Sequence, residues 1–451
     1  MPDLLKVAKF GGTSMADLNA MKRCAKIVCT DPDKKIIVVS ATSGTTNMLT
    51  ALFGSVSTSE KKNFIDQIRT KHTHICDYLK NPDAIKADVI NLLDDLEEVS
   101  LSNPSHTPEL KDKILSFGEL LSSKIFAQLL SEECGELFEW LDARDIIITD
   151  HFHTNADPDI SAIEERADKK ITPHLRDKKF VTQGFIGSTN NGKTTTLGRG
   201  GSDYSAALFA EAVNADVLEI WTDVTAVYTT DPRIVPDAKP INEISFDEAA
   251  ELSVFGAKVL HPATMVPAIR KNIKVYVGSS IQPDEPGTWI LKDTRSKPLT
   301  RAISLRRNQT LLTVHSLDML HQHGFLEKLF TVLSKYKISV DLVSTSEVSV
   351  CLTLDTDINS PGKEVLTQEV LDELETFCEI NIEKDLALIA MIGNNLHATS
   401  GLSGPVFGAL QDVNIRLICH GASSHNLCFL VEESSAERVV KTLHNKFINK
   451  I

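Results

Sequence analysis

The 451-residue chain lacks an excess of basic residues, a long apolar run and a leader-like N-terminus. Lys and Arg number 47 against 61 Asp and Glu, a formal net charge of -14, which excludes a general nucleic-acid binder because that function needs a basic face. No run of about 18 apolar residues occurs, so no transmembrane helix is expected. The first residues, MPDLLKV, do not join a basic segment to an apolar one, so we expect no signal peptide and a cytoplasmic location.

The sequence has eight cysteines but no C-x-x-C pair. They are Cys24, Cys29, Cys76, Cys134, Cys351, Cys378, Cys419 and Cys428. This wide spacing indicates buried free thiols in a reducing compartment rather than a disulfide framework. The histidines at positions 72, 74, 151 and 153 lack the further ligands of a zinc site, and we interpret them as exposed polar residues. No metal site made by the protein is predicted.

The N-terminal part of the chain alternates between strand and helix patterns. An apolar run at residues 7–10 leads into a glycine-rich segment, a helix pattern follows over 20–28, and 36–39 is a β-branched run typical of a strand buried on both faces. This order begins a βαβ unit with a parallel sheet. Residues 60–134 have a mainly helical pattern, and strand patterns return at residue 180.

The C-terminal part contains an internal repeat. A change of composition occurs at residues 281–288, and the segments 338–354 and 415–431 then share one pattern of strand, short polar loop and strand. A helix and a strand precede each segment, and a helix follows it. Two copies are too few for a solenoid, so the repeat indicates a pair of small α+β ligand-binding modules.

Two glycine-rich segments lie where a strand leads into a helix. The first, KFGGTS at residues 9–14, lets backbone N–H groups approach phosphate oxygens, and Lys9 adds a positive charge. It is not a Walker A loop, because the pattern G-x-x-x-x-G-K-[ST] is absent. In the second, GRGGSD at residues 198–203, Arg199 can bind a carboxylate with two hydrogen bonds and Asp203 can orient lysines around phosphates.

Further polar segments follow the next strand patterns. WTDV at residues 221–224 and YTTDPR at 228–233 come after a strand end, where open α/β sheets bind ligands; Tyr228 suits an adenine ring and Arg233 a phosphate. FGAKVLHP at 255–262 supplies a second lysine, Lys258. Taken alone, each segment is also compatible with a structural turn or a solvated lysine, so their combination and order carry the argument.

In that combination the segments resemble the sequence blocks of the aspartokinases, within the amino-acid kinase family. The blocks are KFGGTS, TQGFIG at 182–187, TTTLGRGGSD at 194–203, WTDV, YTTDPR and GAKVLHP at 256–262. The C-terminal repeat resembles tandem ACT domains, which bind amino acids. RRNQTLLT at 306–313, STSEVSV at 344–350 and GASSHNL at 421–427 resemble the monofunctional, lysine-sensitive type. The resemblance covers nearly the whole chain.

The resemblance implies an α/β fold: an amino-acid kinase sandwich with a mainly parallel central sheet and helices on both faces, followed by two α+β, ferredoxin-like ACT domains. The implied domains are a catalytic domain at 1–294 and a regulatory region at 295–451, with ACT domains at about 310–385 and 386–451. Whether the strands of the two ACT domains interleave stays open. A homodimer formed through the ACT domains is also implied.

The implied activity is transfer of the γ-phosphoryl group of ATP to the β-carboxylate of L-aspartate, giving 4-phospho-L-aspartate. This is the first step of lysine, threonine and methionine biosynthesis, inhibited by L-lysine as feedback. Mg²⁺ is expected to travel with ATP, held mainly through phosphate oxygens. Because a carboxylate with a pKa of about 3.9 is already ionised, the reaction needs charge stabilisation and positioning rather than a general base.

The resemblance also implies roles for individual residues. The catalytic residues are Lys9, Arg199, Asp203 and Lys258. The nucleotide site comprises Lys9, Phe10, Gly11, Gly12, Thr222, Asp223, Tyr228, Arg233, Lys258 and Val259. The aspartate site comprises Ser40, Ala41, Thr46, Glu119, Arg199, Gly200, Gly201 and Ser202. In it, Glu119 binds the α-ammonium group and Arg199 the α-carboxylate.

The implied allosteric lysine pocket comprises Met319, Gln322, Phe325, Leu326, Ser339, Val340, Asp341, Ser346 and Glu347. Asp341 and Glu347 provide acidic partners for an ammonium group, and the helix beginning near Phe325 can receive a carboxylate at its N-terminus. Gln322 departs from the family, in which a smaller serine is common at this position.

Two other functions fit part of the sequence. Another amino-acid kinase, such as an acetylglutamate or glutamate kinase, would share the fold, but the ACT pair and KFGGTS favour an aspartokinase. A non-catalytic amino-acid sensor would need the ACT domains alone. The presence of Lys9, Arg199 and Lys258 together argues against that reading.

Overall fold

The computed structural model describes residues 4–54, 57–102, 106–198, 200–256, 262–320, 323–355 and 365–449. The chain forms two compact units. The first comprises Met1–Val227, Pro240–Phe246 and Lys258–Thr294, and the second Tyr228–Lys239, Asp247–Ala257 and Arg295–Ile451. The second unit therefore includes two short segments from the part of the sequence assigned to the catalytic domain.

The described strands and helices follow the sequence patterns closely. The strands are β1 (Lys6–Phe10), β2 (Lys34–Val39), β3 (Phe138–Leu141), β4 (Ile148–Thr149), β5 (Lys179–Gln183), β6 (Ile186–Thr189), β7 (Thr194–Thr196), β8 (Val217–Thr222), β9 (Glu243–Ser245), β10 (Lys274–Ser279), β11 (Thr288–Leu291), β12 (Ala302–His315), β13 (Val340–Thr345), β14 (Ser349–Asp355), β15 (Glu379–Ile392), β16 (Ile415–His420) and β17 (Asn426–Glu432). The helices are α1 (Leu18–Cys29), α2 (Thr45–Gly54), α3 (Thr58–Cys76), α4 (Pro82–Ser102), α5 (Pro108–Cys134), α6 (Ile160–Lys170), α7 (Gly201–Ala212), α8 (Phe246–Val254), α9 (Pro262–Lys271), α10 (Phe325–Lys335), α11 (Gln368–Glu375), α12 (Ser403–Gly408) and α13 (Glu433–Phe447).

The first unit is built on an eight-stranded sheet in the order β3-β5-β2-β1-β8-β10-β11-β9. All neighbouring strands from β3 to β10 are parallel, and only the pair β10–β11 is antiparallel. Helix α5 packs on β2, β3 and β5 together with α1 and α4, whereas α7 packs on β1, β2 and β8 with α6 and α9. The predicted fold class is confirmed, and the β-branched run of β2 is buried as expected.

The long helix α5 runs through the core of the first unit. The side chain of Thr107 caps its N-terminus by accepting from the N–H of Leu110, Pro108 occupies its first turn, and Gly135 ends it in the left-handed conformation. Its residues are buried almost continuously from 112 to 130, so polar side chains in that stretch need internal partners. Two such side chains are the carboxylates Asp112 and Glu119.

The second unit contains a six-stranded sheet in the order β13-β14-β12-β15-β17-β16. Its two long central strands are each shared by two modules. Residues 311–315 of β12 pair with 379–383 of β15 beside β14, and residues 302–306 of β12 pair with 388–392 of β15 beside β17. Residues 302–306, which precede the first module in the sequence, therefore form an edge strand of the second module. Each module has its own apolar core.

One cysteine pair departs from the expectation of free thiols. Cys29 and Cys134 form a disulfide with a Cα–Cα separation of 5.1 Å, and the other six cysteines are free. The prediction was wrong for this pair because α1 and α5 pack together, which brings their C-terminal residues into contact although 105 residues separate them in the sequence.

The histidines also differ from their predicted exposure. His74 and His151 are exposed as expected, but His153 is half-buried and His72 has no exposed surface. Within the described ranges there is no group of three or more His, Cys, Asp or Glu side chains arranged to hold a metal ion. No helix among these residues is long and apolar enough to cross a membrane.

Candidate active site

The carboxyl ends of parallel strands meet at one edge of the first unit's sheet. Phe10 at the end of β1 lies opposite Val39 of β2 and Trp221 of β8. The N–H of Gly11 donates to the carbonyl of Trp221 at 3.3 Å, and the N–H of Ser40 donates to the carbonyl of Phe10 at 3.1 Å. The first residues after β1, β2 and β8 are therefore adjacent, as expected for the ligand-binding edge of an open α/β sheet.

Lys9 is the central cation of this edge. Its side chain is 10% exposed, and its ammonium group forms an ion pair with Oδ1 of Asp203 in the first turn of α7. A Cβ atom added to Gly11 would lie 3.5 Å from Nζ of Lys9, so the ammonium group lies directly beside the glycine-rich turn. A cation beside a glycine-rich turn, where a ligand can approach the backbone closely, is an arrangement that suits phosphate.

The second glycine-rich segment is fixed by close packing at the start of α7. Gly200 caps the helix with a φ of 70°, a conformation that glycine adopts without strain. A Cβ atom on Gly184, just after β5, would lie 2.6 Å from Cβ of Ser202, so these backbones approach closely only because residue 184 is glycine. The predicted residues Gly200, Gly201, Ser202 and Asp203 thus lie at the same edge as Lys9, while Arg199 lies outside the described residues.

Glu119 of α5 provides a buried carboxyl group in this region. Oε1 accepts a hydrogen bond from the N–H of Ala41 at 3.1 Å, and the residue is only 3% exposed. Oε2 is buried and has no hydrogen-bond partner among the described residues. Burial raises the pKa of Glu119 to about 8, although the Ala41 N–H opposes this rise. A buried carboxyl with one free oxygen is poised to accept a donor from a ligand.

Helix α5 also holds the backbone of residues 40 and 41. The hydroxyl of Ser122 donates to the carbonyl of Ser40 at 2.7 Å. A Cβ atom on Gly118 would lie 2.8 Å from Cβ of Ala41, so the helix and this loop are in direct contact. Ser40, Ala41 and Glu119 are therefore brought together as predicted, whereas Thr46 is exposed in the first turn of α2.

The remaining nucleotide-site residues have separate environments. Phe10 is fully buried and stacks on Trp221 with ring centroids 6.4 Å apart, so its side chain belongs to the core. The hydroxyl of Thr222 donates to Oδ1 of Asp223 at 3.2 Å, and its backbone carbonyl accepts from the N–H of Ser280 at 2.8 Å. Lys258 and Val259 lie outside the described residues.

A serine pair at the same edge was not predicted from the sequence. The hydroxyls of Ser14 and Ser280 are 2.6 Å apart, which ties the first glycine-rich segment to the end of β10. The available signal was the run V-G-S-S at residues 277–280, because small polar residues at the end of a buried strand mark this edge.

Tyr228 and Arg233 belong to the second unit. Tyr228 is half-buried. Arg233 has a side chain that is 89% exposed and forms an ion pair with Asp231 at 2.7 Å. The hydrogen bonds from Arg233 hold the pKa of the Asp231 carboxyl below its usual range. An exposed ion pair of this kind contributes little to stability.

The described residues of the predicted lysine pocket lie in the first C-terminal module. Met319, Phe325 and Val340 pack against its core, and Phe325 meets Phe377 edge-on at 5.8 Å. Gly324 begins α10 with a φ of 89°. Leu326, Ser339, Ser346 and Glu347 are exposed, whereas the side chain of Asp341 is 21% exposed. Gln322 lies outside the described residues.

Asp341 is the acidic side chain of this set that already has a cationic partner. Its carboxylate lies 3.3 Å from the guanidinium of Arg306. Partial burial raises the pKa of Asp341, and Arg306 opposes that rise. The carboxylate is thus held in place and partly desolvated, which suits recognition of an ammonium group.

A parallel sheet with two glycine-rich strand–helix junctions at one edge, joined to a pair of α+β modules, defines a small-molecule phosphotransferase with a regulatory region. The chain belongs to the amino acid kinase family and, within it, to the aspartokinases. The model of the amino acid kinase family matches residues 5–279, and an ACT domain model matches residues 389–447. The family indicated by the sequence blocks is therefore confirmed.

Relatives with names match nearly the whole length of the chain. It is 49% identical to lysine-sensitive aspartokinase 3 of Escherichia coli, over 97% of this chain and 98% of that protein. It is 38% identical to chloroplastic aspartokinase 1 of Arabidopsis thaliana, over 98% of this chain and 80% of that protein.

Solved structures of the same family are also similar. The structure of E. coli aspartokinase III with aspartate and ADP has a TM-score of 0.89 at 48% identity, covering 98% of this chain and 99% of that chain. The structure of the same enzyme with lysine and aspartate has a TM-score of 0.85 with the same coverage.

Proposed function

We propose that this chain is an aspartate kinase, which transfers the γ-phosphoryl group of ATP to the β-carboxylate of L-aspartate and is inhibited by L-lysine. The observation that carries the proposal is the joint presence, at one sheet edge, of Lys9 beside Gly11 and of the buried Glu119 beside Ala41. One part suits phosphates and the other suits an ammonium group. The similar E. coli enzyme binds ADP, aspartate and lysine, which supports the same ligands here.

The proposed mechanism depends on charge and positioning. The acceptor carboxylate is ionised at neutral pH, so the obstacle is repulsion between two anions. Lys9 and the N–H group of Gly12 offset the charge of the phosphates, the Gly11 N–H being bonded to the carbonyl of Trp221, and Asp203 holds the Lys9 ammonium at the junction. Glu119, when ionised, accepts the α-ammonium group and so orients the β-carboxylate towards the phosphoryl group.

Further roles follow from the sequence blocks. Arg199 binds the α-carboxylate with two hydrogen bonds, and Lys258 offsets charge at the nucleotide. Thr222, Asp223 and Tyr228 place the nucleotide, and Arg233 leaves Asp231 for a phosphate.

Mg²⁺ accompanies ATP in this proposal. We expect the ion to be carried mainly by phosphate oxygens and water, the ligands that Mg²⁺ usually keeps when it accompanies a nucleotide. Bound in this way, Mg²⁺ would supply additional positive charge at the phosphates. Lys9 and the glycine-rich turn are the residues that would hold the phosphates bearing the ion.

The test is a hydroxamate assay on the full chain with MgATP, hydroxylamine and L-aspartate, in the presence and absence of L-lysine. We expect hydroxamate with aspartate and loss of the signal at millimolar lysine. L-Glutamate and N-acetyl-L-glutamate serve as matched alternative acceptors. Hydroxamate with either of these and none with aspartate would replace the proposal with another amino-acid kinase, and activity unaffected by lysine would remove the inhibitor.

We propose that lysine binds at the first C-terminal module and that the chain forms a homodimer through its ACT domains. The pocket is made of Met319, Gln322, Phe325, Leu326, Ser339, Val340, Asp341, Ser346 and Glu347.

The exposure of strand β13 is consistent with the proposed dimer, because this strand ends the sheet and four of its six residues are exposed. Analytical ultracentrifugation tests the assembly, and a monomer at all concentrations would contradict it.

A further inference from the structure

The segment of residues 40–44, called the pocket loop below, forms one wall of the proposed aspartate site. It has the sequence SATSG, without a bulky side chain to anchor it. Helix α5 holds its first half, through Ser122 on the carbonyl of Ser40 and Glu119 on the N–H of Ala41. The second half of the loop needs another support, because short loops of small residues have high conformational entropy.

Helix α3 supplies that support through a buried histidine. Nε2 of His72 lies 3.1 Å from the hydroxyl of Thr42, and Nδ1 lies 2.8 Å from the carbonyl of Ile68. The Thr42 hydroxyl is 2.5 Å from the hydroxyl of Thr45. His72, Thr42 and Thr45 are at most 1% exposed. The neighbouring Lys71 donates from Nζ to the carbonyl of Ser43, so α3 forms hydrogen bonds with two successive residues of the pocket loop, Thr42 and Ser43.

These contacts have only one consistent direction. A carbonyl can only accept, so Nδ1 of His72 carries the proton and donates to Ile68. Nε2 is then an acceptor and receives the Thr42 hydroxyl proton, which leaves the Thr42 oxygen to accept from Thr45. Burial lowers the pKa of His72 to about 4, so the ring is neutral under ordinary assay conditions and keeps this pattern.

We propose that His72 is a positioning residue for aspartate: through Thr42 it fixes the pocket loop so that the Ala41 N–H holds the Glu119 carboxyl in place. This inference rests on the proposed function, since it assigns a role within the aspartate site. The chain of contacts runs from α3 through Thr42 to Ala41, the next residue, and from there to Glu119. His72 itself does not touch the substrate.

The prediction is a selective loss of aspartate affinity. Without an acceptor at position 72 the buried Thr42 hydroxyl keeps only the Thr45 hydroxyl as a partner. The hydrogen bond that joins α3 to Thr42 is then lost, and the pocket loop is less firmly fixed. We expect His72→Leu and Thr42→Val each to raise the KM for aspartate about tenfold, with a smaller change in kcat and less than twofold in the KM for ATP. His72→Gln and Thr42→Ser keep an acceptor and a hydroxyl, so they should restore most of the affinity.

The experiment is steady-state kinetics on the full chain with the four variants, the double variant His72→Leu/Thr42→Val, and His74→Leu. The last is a matched control, because His74 lies on the same helix and is exposed. Thermal unfolding of each variant is measured in parallel. If His72→Leu fails to fold, Thr42→Val carries the test because it keeps the side-chain volume. The double variant should have an aspartate KM no higher than that of the more defective single variant, because both substitutions remove the same His72–Thr42 hydrogen bond.

Three results would overturn the inference: unchanged aspartate KM in a folded His72→Leu or Thr42→Val protein, equal increases in the KM values for aspartate and ATP, or a His72→Gln protein as defective as His72→Leu. Failure of the proposed function is distinct, because the wild-type protein would then form no hydroxamate from aspartate. A wild-type protein that uses aspartate with variants that behave like His74→Leu would remove only the role of His72.

Discussion

The ammonium group of Lys9 and the carboxylate of Asp203 form an ion pair that joins the two glycine-rich segments of the chain. Both side chains are largely shielded from solvent, at 10% and 17% exposure. The pair holds the cation at the sheet edge when no phosphate is present, because an isolated ammonium would otherwise be free to adopt other rotamers.

Replacing Lys9 with alanine should lower kcat about 100- to 1000-fold, the usual effect of removing one preorganised donor from a transition state. Asp203→Asn should have a smaller effect, mainly on kcat, because it loosens the lysine without removing it. Lys26→Ala, at an exposed position on α1, is the control. Near-normal turnover by a folded Lys9→Ala protein would contradict the assignment of Lys9.

The raised pKa of Glu119 predicts a pH dependence of aspartate binding. The carboxyl has a pKa of about 8 in the free protein and must be ionised to accept an ammonium group. We therefore expect kcat/KM for aspartate to rise with pH and to level off above about pH 8. Glu119→Gln should raise the KM for aspartate about 100-fold and remove this rise, whereas the exposed Glu133→Gln on the same helix should keep it. A wild-type profile that is flat from pH 6 to 9 would contradict this role.

The same group should make the protein less stable at high pH. Its pKa rises from an ordinary 4.5 to about 8 on folding, so the folded state binds more protons between these values. This contribution is complete below pH 4.5 and is lost as pH rises through 8, by at most about 5 kcal/mol. Urea unfolding of wild type and Glu119→Gln at pH 6 and pH 9 measures it. Equal pH dependence in both proteins would show that the carboxyl is not responsible.

Asp112 of α5 should be important for stability. It has no exposed surface, and it accepts from the N–H of Thr154, the hydroxyl of Thr196 and Nδ1 of His153 at 2.6–3.0 Å. Thr154 has a φ of 73°, which is unfavourable for a threonine.

Asp112→Asn would point an amide at groups that donate. It should reduce the free energy of unfolding by about 2–4 kcal/mol, measured by urea titration. Asp95→Asn, at an exposed position on α4, is the control and should stay within about 0.5 kcal/mol. Equal stability of the two variants would mean that the Asp112 carboxylate does not support the Thr154 turn.

Lysine inhibition should depend on Asp341. Removing one charge-assisted hydrogen bond to an ammonium group costs about 1.5–3 kcal/mol. Asp341→Ala should therefore raise the lysine concentration for half-inhibition at least about tenfold. The exposed Glu369→Gln on α11 tests for an unspecific charge effect. Inhibition of Asp341→Ala at the wild-type lysine concentration would place the lysine site elsewhere.

Gly11, Gly12, Gly200 and Gly201 were selected from local patterns, and they lie at the sheet edge because a parallel strand followed by a helix leaves its turn there. His72 was misinterpreted because its partner Thr42 lies on another element, and a single histidine on a charged helix gives no local sign of burial. Asp112 was not selected for the same reason, although α5 itself was expected to be helical.

The sequence by itself determined the family, the parallel βαβ organisation, the glycine-rich turns and the repeated C-terminal modules, because these depend on periodicity and on residue types that act within a few positions. Only the tertiary structure decided the Cys29–Cys134 disulfide, the sharing of β12 and β15 between the two C-terminal modules, and the hydrogen bonds from α3 to the pocket loop. Each of these depends on which faces of distant elements meet, and that outcome is set by packing of the whole core rather than by local preference.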